Sequence, residues 1–191
     1  ADQFGNDHVL THDGVHRTWR QFDDRAARLG QAFTDAGLQP GSKVGLLLYN
    51  CSEYYETFLA ALKMRMVPFN VNYRYVGAEL SYLLDNADCE ALVYHRSMAG
   101  VVRDVLPALP LVKIAIEVDD GGEGWQRAQP YEALLAASVP APRIARQADD
   151  YHLMYTGGTT GRPKGVICHV APWSTGLTAM FATNVLGLPS A

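Results

Sequence analysis

Tyr155-Thr156-Gly157-Gly158-Thr159-Thr160-Gly161-Arg162-Pro163-Lys164-Gly165-Val166 gathers four glycines, three threonines and two basic side chains into one short loop. Apolar residues bound it, Leu153-Met154-Tyr155 before and Val166-Ile167 after. Glycine has no Cβ, so its backbone reaches positive φ cheaply and several N–H groups can converge on one anion. Threonine hydroxyls add neutral donors, and a lysine adds a mobile positive charge that can follow a phosphate. Charge-assisted contacts of this kind are worth roughly 1.5–3 kcal/mol each, enough in combination to hold a triphosphate tail. The loop therefore reads as a phosphate cradle.

It is not a Walker A loop, which needs G-x-x-x-x-G-K-[ST] opening a helix. Here Pro163 precedes Lys164 and Gly165 follows it. The β-branched pair Val166-Ile167 favours a strand, so the loop is expected to join two strands.

The chain has 191 residues, of which 48% are hydrophobic and 19% charged, with a net charge of −4. That is enough chain for one sizeable globular domain. With no basic run, no nucleic-acid partner is expected, because affinity there rests on clustered Lys and Arg. The longest apolar stretch, residues 171–188, is broken by Ser174, Thr175, Gly176, Thr178, Thr183 and Asn184. No integral membrane segment is expected from it. Cys51, Cys89 and Cys168 are odd in number and widely spaced, which fits buried thiols in a reduced, cytoplasmic compartment. The start at Ala1-Asp2-Gln3 lacks the basic and apolar regions of a signal peptide.

Along the chain, Val9-Leu10-Thr11 and Val15 to Thr18 flank His12-Asp13-Gly14, a hairpin signal. Thr18 and Gln21 have capping-box spacing, and Trp19, Phe22, Ala26, Leu29 and Phe33 form one helical stripe ended by Gly37 and Pro40. If the four large members bury fully, each contributes about 1.5–3 kcal/mol. Residues 44–49 read as a strand covered on both faces. Asn50 and Ser52 can cap the next helix, with Glu53 and Glu56 at its positive end and Tyr55, Phe58, Leu59, Leu62 and Met66 on its buried face. Strands are predicted at 67–71, 91–94 and 112–118, and helices at 77–87, 98–106 and 131–137. This alternation predicts an α/β fold, a parallel or mixed sheet wrapped by helices.

Asp119-Asp120-Gly121-Gly122-Glu123-Gly124 reads as a flexible, solvated acidic loop, since it lacks the alternating ligand spacing of a calcium site. Residues 139–150, with Pro140 and Pro142, read as a surface linker. The chain is thus divided into an α/β subdomain, 1–150, and the strand, phosphate loop and start of a second subdomain, 151–191. A helix is predicted from about Pro172 to Leu186, with Trp173 and Met180 read as core packing ahead of tunnel lining. Cys168 and His169 are neighbours on a strand, so they face opposite ways and do not readily cooperate as nucleophile or metal site.

The stretch from Tyr155 to Gly165 resembles the signature loop of the adenylate-forming superfamily, usually written Y-T-S-G-T-T-G-x-P-K-G. Gly157 stands where the general pattern has serine, a variant also carried by bacterial fatty-acyl-CoA ligases. Two further segments are similar to family motifs. Thr18-Trp19-Arg20-Gln21-Phe22 resembles T-Y-x-E-L, and the segment from Leu62 to Arg74 resembles the second core motif, with Arg65 in place of a glycine. The Asn70 to Asp88 region looks most like bacterial fatty-acyl-CoA ligases, including enzymes acting on sterol-derived side chains.

The resemblance implies an acid–thiol ligase: a carboxylate attacks the α-phosphate of ATP with Mg²⁺, and coenzyme A then displaces AMP from the acyl-adenylate. It assigns backbone donation to Gly157, Gly158 and Gly161, hydroxyl donation to Thr156, Thr159 and Thr160, and charge neutralisation to Lys164. Arg162 falls at the variable position and is expected to face solvent. The expected substrate is a small-molecule carboxylate, fatty acyl or sterol-derived, and a homodimer is compatible with the resemblance. A histidine often occurs near the position of His169, with a different spacing. The later motifs for adenine, ribose, Mg²⁺ and the adenylation lysine are missing, so the sequence reads as roughly the first third of such an enzyme, not competent alone. An acyl-AMP ligase, a carrier-protein-directed adenylation domain or a non-catalytic nucleotide-binding module would share this loop.

Overall fold

In the computed structural model of the chain, residues 2–156 and 162–170 are described. Asp13 and Gly14, at φ 46° and 76°, turn the chain from β1 (His8–His12) into β2 (Val15–Thr18). Two positive φ values match the mirror-image turn that suits strand twist. The capping box forms at the start of α1 (Trp19–Asp35): Gln21 N donates to Thr18 Oγ1 at 3.3 Å, and Thr18 N donates to Gln21 Oε1 at 2.9 Å.

The stripe on α1 is shorter than its spacing predicted. Ala26, Leu29 and Phe33 are fully buried, but Phe22 is half-buried and Trp19 is 38% exposed. The first turn lies beside the β1–β2 hairpin, and Trp19 packs edge-on to Phe22 there.

The main sheet is built from β3 (Lys43–Leu47), β4 (Val67–Asn70), β5 (Cys89–His95), β6 (Ile114–Val118), β7 (Gln129–Pro130), β8 (Tyr151–Thr156) and β9 (Lys164–His169). Its order is β7-β6-β5-β3-β4-β8-β9, parallel except for the last pair. The expected parallel or mixed sheet is therefore found. The helices between are α2 (Ser52–Lys63), α3 (Ala78–Asn86), α4 (Ala99–Val105) and α5 (Tyr131–Ala137). Successive residues of β3 and β5 serve opposite faces. Leu47, Leu92 and Tyr94 join a core with α3 and α4, while Val44, Leu46, Ala91 and Val93 join a core with α1, α2 and α5. A Cβ on Gly45 would lie 3.0 Å from Phe69 Cζ and 3.1 Å from Leu92 Cδ1, so this central position admits little more than hydrogen.

The reading of α2 is corrected in two respects. Cys51 is its N-cap, with no side-chain cap hydrogen bond from Asn50 or Ser52. Its buried face is Ser52, Glu56, Thr57, Ala60 and Ala61, whereas Tyr55 is 52% exposed and Phe58, Leu59 and Leu62 are half-buried. The physical reason is Glu56, whose carboxylate is fully buried and reaches three other elements. Arg17 Nε lies 3.0 Å and Arg25 Nε 2.8 Å from its Oε1, and Tyr131 Oη donates to its Oε2 at 2.9 Å. Burial and the adjacent carboxylate hold the Tyr131 hydroxyl well above its usual range, so it remains a donor. A buried carboxylate with such partners fixes the rotation of α2, and small residues then pack against α1. Gly30 makes that approach close, since a Cβ there would fall 2.9 Å from Met64 Cγ.

The acidic loop is largely exposed, as its composition predicts, and two of its carboxylates have partners. The Asp120 carboxylate accepts from Ser97 N at 2.8 Å and from Ser97 Oγ, and Asp119 pairs with Arg96 at 2.9 Å. The 139–150 segment has no regular structure, but Ala141 N donates to Ala27 O at 3.0 Å. Cys51 and Cys89 are buried, and burial pushes both thiols up to about 12; Cys168 is only half-buried. Among the described residues, no helix is long and apolar enough to cross a membrane.

Glu56→Gln takes from Arg17 its carboxylate partner, while Arg25 keeps its bidentate pair with Glu132, and is expected to lower the unfolding free energy by about 3–5 kcal/mol in urea titration. Tyr131→Phe removes one hydrogen bond to the buried carboxylate and is expected to cost about 1.5–3 kcal/mol by the same measurement.

Candidate functional site

The strand leading into the glycine-rich loop, β8, enters the sheet beside β4 with Leu153 opposite Phe69. Because β8 runs parallel to β4, Thr156 lies at the carboxyl end of the parallel strands. Open α/β sheets bind ligands at that end. The return strand β9 is antiparallel to β8, with Tyr155 opposite Gly165 and Thr156 opposite Lys164. The loop thus joins two strands, as its β-branched exit predicts.

Residues directly opposite one another in an antiparallel pair share a face, with Cβ atoms about 4.5–5.5 Å apart. Thr156 and Lys164, both exposed, therefore stand side by side where the loop begins and ends. A hydroxyl donor and an ammonium are presented together. Of the other residues expected to bind phosphate, Gly157, Gly158, Thr159, Thr160 and Gly161 lie outside the described residues, as do Trp173, Met180 and the helix predicted from Pro172.

Tyr155 faces the opposite way. Its ring packs on Phe69, with centroids 5.9 Å apart, and its hydroxyl donates to Asn86 Oδ1 at 3.0 Å. The ring also covers Gly165: a Cβ there would lie 3.2 Å from Tyr155 Cζ, so a larger residue would have to push the ring aside. That is a packing reason for glycine after the lysine. Burial, and secondarily the charges of Tyr82 and Asp88, raises the Tyr155 hydroxyl above its ordinary range, so it donates at neutral pH. Arg162 is exposed but does not simply face solvent. Its guanidinium lies over the Tyr82 ring, 4.7 Å from the centroid.

The base of β8 is held by a residue the sequence marks only as a departure. Arg65, where the motif this segment resembles has glycine, has φ 57°, a left-handed conformation that costs an L-residue about 1–2 kcal/mol. Its Nε donates to Asp150 Oδ1 at 2.8 Å, one residue before β8, and its Nη2 is 3.6 Å from Asp149. Backbone strain is thus offset by a tie to the strand that carries the loop.

A cavity of about 320 Å³ adjoins Tyr155 at this end of the sheet, lined among others by Asn50, Asn70, Tyr54 and Tyr73. A larger one, about 510 Å³, lies between Asp35 at the end of α1 and Ile114 at the start of β6, at the amino ends of the strands. The smaller cavity is the one placed to serve the loop. At the switch between β3 and β5, Tyr49 N donates to His95 Nδ1 at 3.1 Å, and burial lowers the affinity of that imidazole for a proton. His169 meets Tyr151 edge-on and Cys168 is opposite His152, so the two neighbours do not form one site. No group of three or more His, Cys, Asp or Glu among the described residues is placed to hold a metal ion.

A doubly wound sheet with a lysine-bearing hairpin at its carboxyl end is an open α/β protein of the class that takes ligands at that edge. The AMP-binding enzyme family model matches residues 1–189, and the chain belongs to that family. It is 44% identical over 163 residues to 3-oxocholest-4-en-26-oate–CoA ligase from Rhodococcus rhodochrous, a match covering 83% of this chain and 29% of that protein. It is 40% identical to medium-chain acyl-CoA ligase Mig from Mycobacterium avium, covering 78% of this chain and 30% of that protein. The chain thus spans under a third of the length of these relatives. Among solved structures, the anthranilate CoA ligase AuaEII in complex with anthranoyl-AMP superposes with a TM-score of 0.88 at 22% identity, over 97% of this chain and 36% of that one. ATP-bound MatB from Rhodopseudomonas palustris gives 0.81 at 22% identity, over 95% and 35%. These likenesses establish the fold.

Arg65→Ala keeps the left-handed backbone but loses the ion pairs, whereas Arg65→Gly relieves the backbone. Urea titration is expected to rank Arg65→Gly above Arg65→Ala by about 1 kcal/mol.

Proposed function

We propose that this chain is the phosphate-gripping part of an ATP-dependent acyl-CoA ligase. A carboxylate oxygen attacks the α-phosphorus of ATP and the bond to pyrophosphate breaks. The thiol of coenzyme A then attacks the acyl carbon, AMP leaves and the thiol proton passes to solvent. The relatives' names support a fatty or sterol-derived carboxylate as substrate, and a cytoplasmic setting suits these soluble co-substrates.

The observation that carries the reading is the juxtaposition of exposed Thr156 and Lys164 where the loop meets its two strands. This donor set suits an anion. Lys164 would neutralise charge on the β- and γ-phosphates, Thr156 would donate to a phosphate oxygen, and Gly157, Gly158, Thr159, Thr160 and Gly161 would complete the cradle. Held in this way, the triphosphate is aligned for attack, and charge gathering on departing pyrophosphate is stabilised. Mg²⁺ enters only as counter-ion to the nucleotide, with no protein ligand assigned. The division into a subdomain over 1–150 and a second beginning at 151 is part of the same proposal.

Loss of one charge-assisted phosphate contact corresponds to about a ten- to hundredfold effect. Carboxylate-dependent exchange of pyrophosphate into ATP by the full-length protein is expected to fall by that factor in Lys164→Ala. Undiminished exchange would overturn the reading.

A further inference from the structure

Both feet of the loop rest on one helix. Tyr155, the second-last residue of β8, donates its hydroxyl to Asn86 at 3.0 Å. Arg162, two residues before β9, stacks on Tyr82 at 4.7 Å. Tyr82 and Asn86 are four residues apart on α3, so they share one face, one turn apart. α3 is itself immobilised, because Leu80, Leu83 and Leu84 are buried in the core beneath it. The helix therefore offers a fixed edge, and the two residues flanking the glycines are moored along it by different chemistry.

We propose that this edge of α3 is the platform that sets the geometry of the phosphate loop, with Tyr82 and Asn86 as positioning residues for ATP. Neither touches the reacting atoms; each acts through a residue of the loop. The proposal rests on the reading that the loop grips the triphosphate. Its logic is entropic. A glycine-rich segment loses more conformational freedom than any other when it closes on an anion. Fixing both feet beforehand removes part of that cost from the binding step. Arg162 then contributes without contacting phosphate, through its hold on Tyr82. This explains a basic residue at a position of the loop whose side chain is turned towards a helix.

The test is a double-mutant cycle in the full-length protein, read as the KM for ATP and the KM for the carboxylate in pyrophosphate exchange. An accessible guanidinium–ring contact supports about a two- to fivefold change. Tyr82→Ala and Arg162→Gln are each expected to raise the KM for ATP by that factor and to leave the KM for the carboxylate unchanged. The pair together is expected to be no worse than either alone, because both break one contact. Tyr82→Phe retains the ring and is expected to restore the parental KM. A multiplicative double mutant, an unchanged KM for ATP in Tyr82→Ala, or equal rises in both KM values would overturn the proposal. Lys164→Ala in the same assay separates the two levels: impairment there with no effect at Tyr82 refutes the platform alone, and no effect of Lys164→Ala refutes the phosphate reading beneath it.

Discussion

The seam between β4 and β8 is the constraint on which the site depends. The pairing of Leu153 with Phe69 brings the last segment of the described chain into a sheet whose other strands come from residues 43–130. Parallel pairing at that seam sends Thr156 to the carboxyl edge, and the antiparallel return through β9 brings Lys164 back beside it. Reversing the direction of β8 would carry the loop to the amino edge, away from where open sheets take their ligands. Arg65 secures the seam from below through Asp150, and Tyr155 secures it from above through Phe69 and Asn86.

A second constraint fixes the helices around that seam. Glu56 is a fully buried carboxylate that accepts from Arg25 of α1 and Tyr131 of α5 and lies in ion-pair contact with Arg17 of β2. Such a group is poor evidence of stability in its own right, but removing one member leaves a buried charge exposed to the cost of desolvation. It decides which face of α2 turns inward, and its partners draw together residues far apart in sequence. The aromatic residues of α2 are left at or near the surface as a consequence.

Local patterns were readable and cross-chain chemistry was not. The Asp-Gly turn, the capping box at Thr18, the helical stripe through Leu29 and Phe33, and the strand–helix alternation all depend on neighbours within a few residues, so the sequence displays them. Residues 44–47 announce a central strand because every position is apolar or glycine. The strand after Lys164 was legible from Val166-Ile167. By contrast, Glu56 looked like a helix-end carboxylate because its spacing from Ser52 suits that role. Its partners at Arg17, Arg25 and Tyr131 are up to 75 residues away. Arg65 showed only as a missing glycine, and the positive φ that explains the glycine could be seen only in the backbone. Tyr82 and Asn86 carried helical spacing but no sign of what they would meet.

The account stands on the claim that the β8–β9 hairpin takes the tail of a nucleotide between Thr156 and Lys164. A structure of the full-length protein soaked with ATP tests it most directly. The account predicts β- and γ-phosphate oxygens within hydrogen-bonding distance, about 3 Å, of Lys164 Nζ and of the loop's backbone nitrogens. Nucleotide density at another place, with the Lys164 ammonium turned away and the loop's amides bonded within the protein, would contradict it.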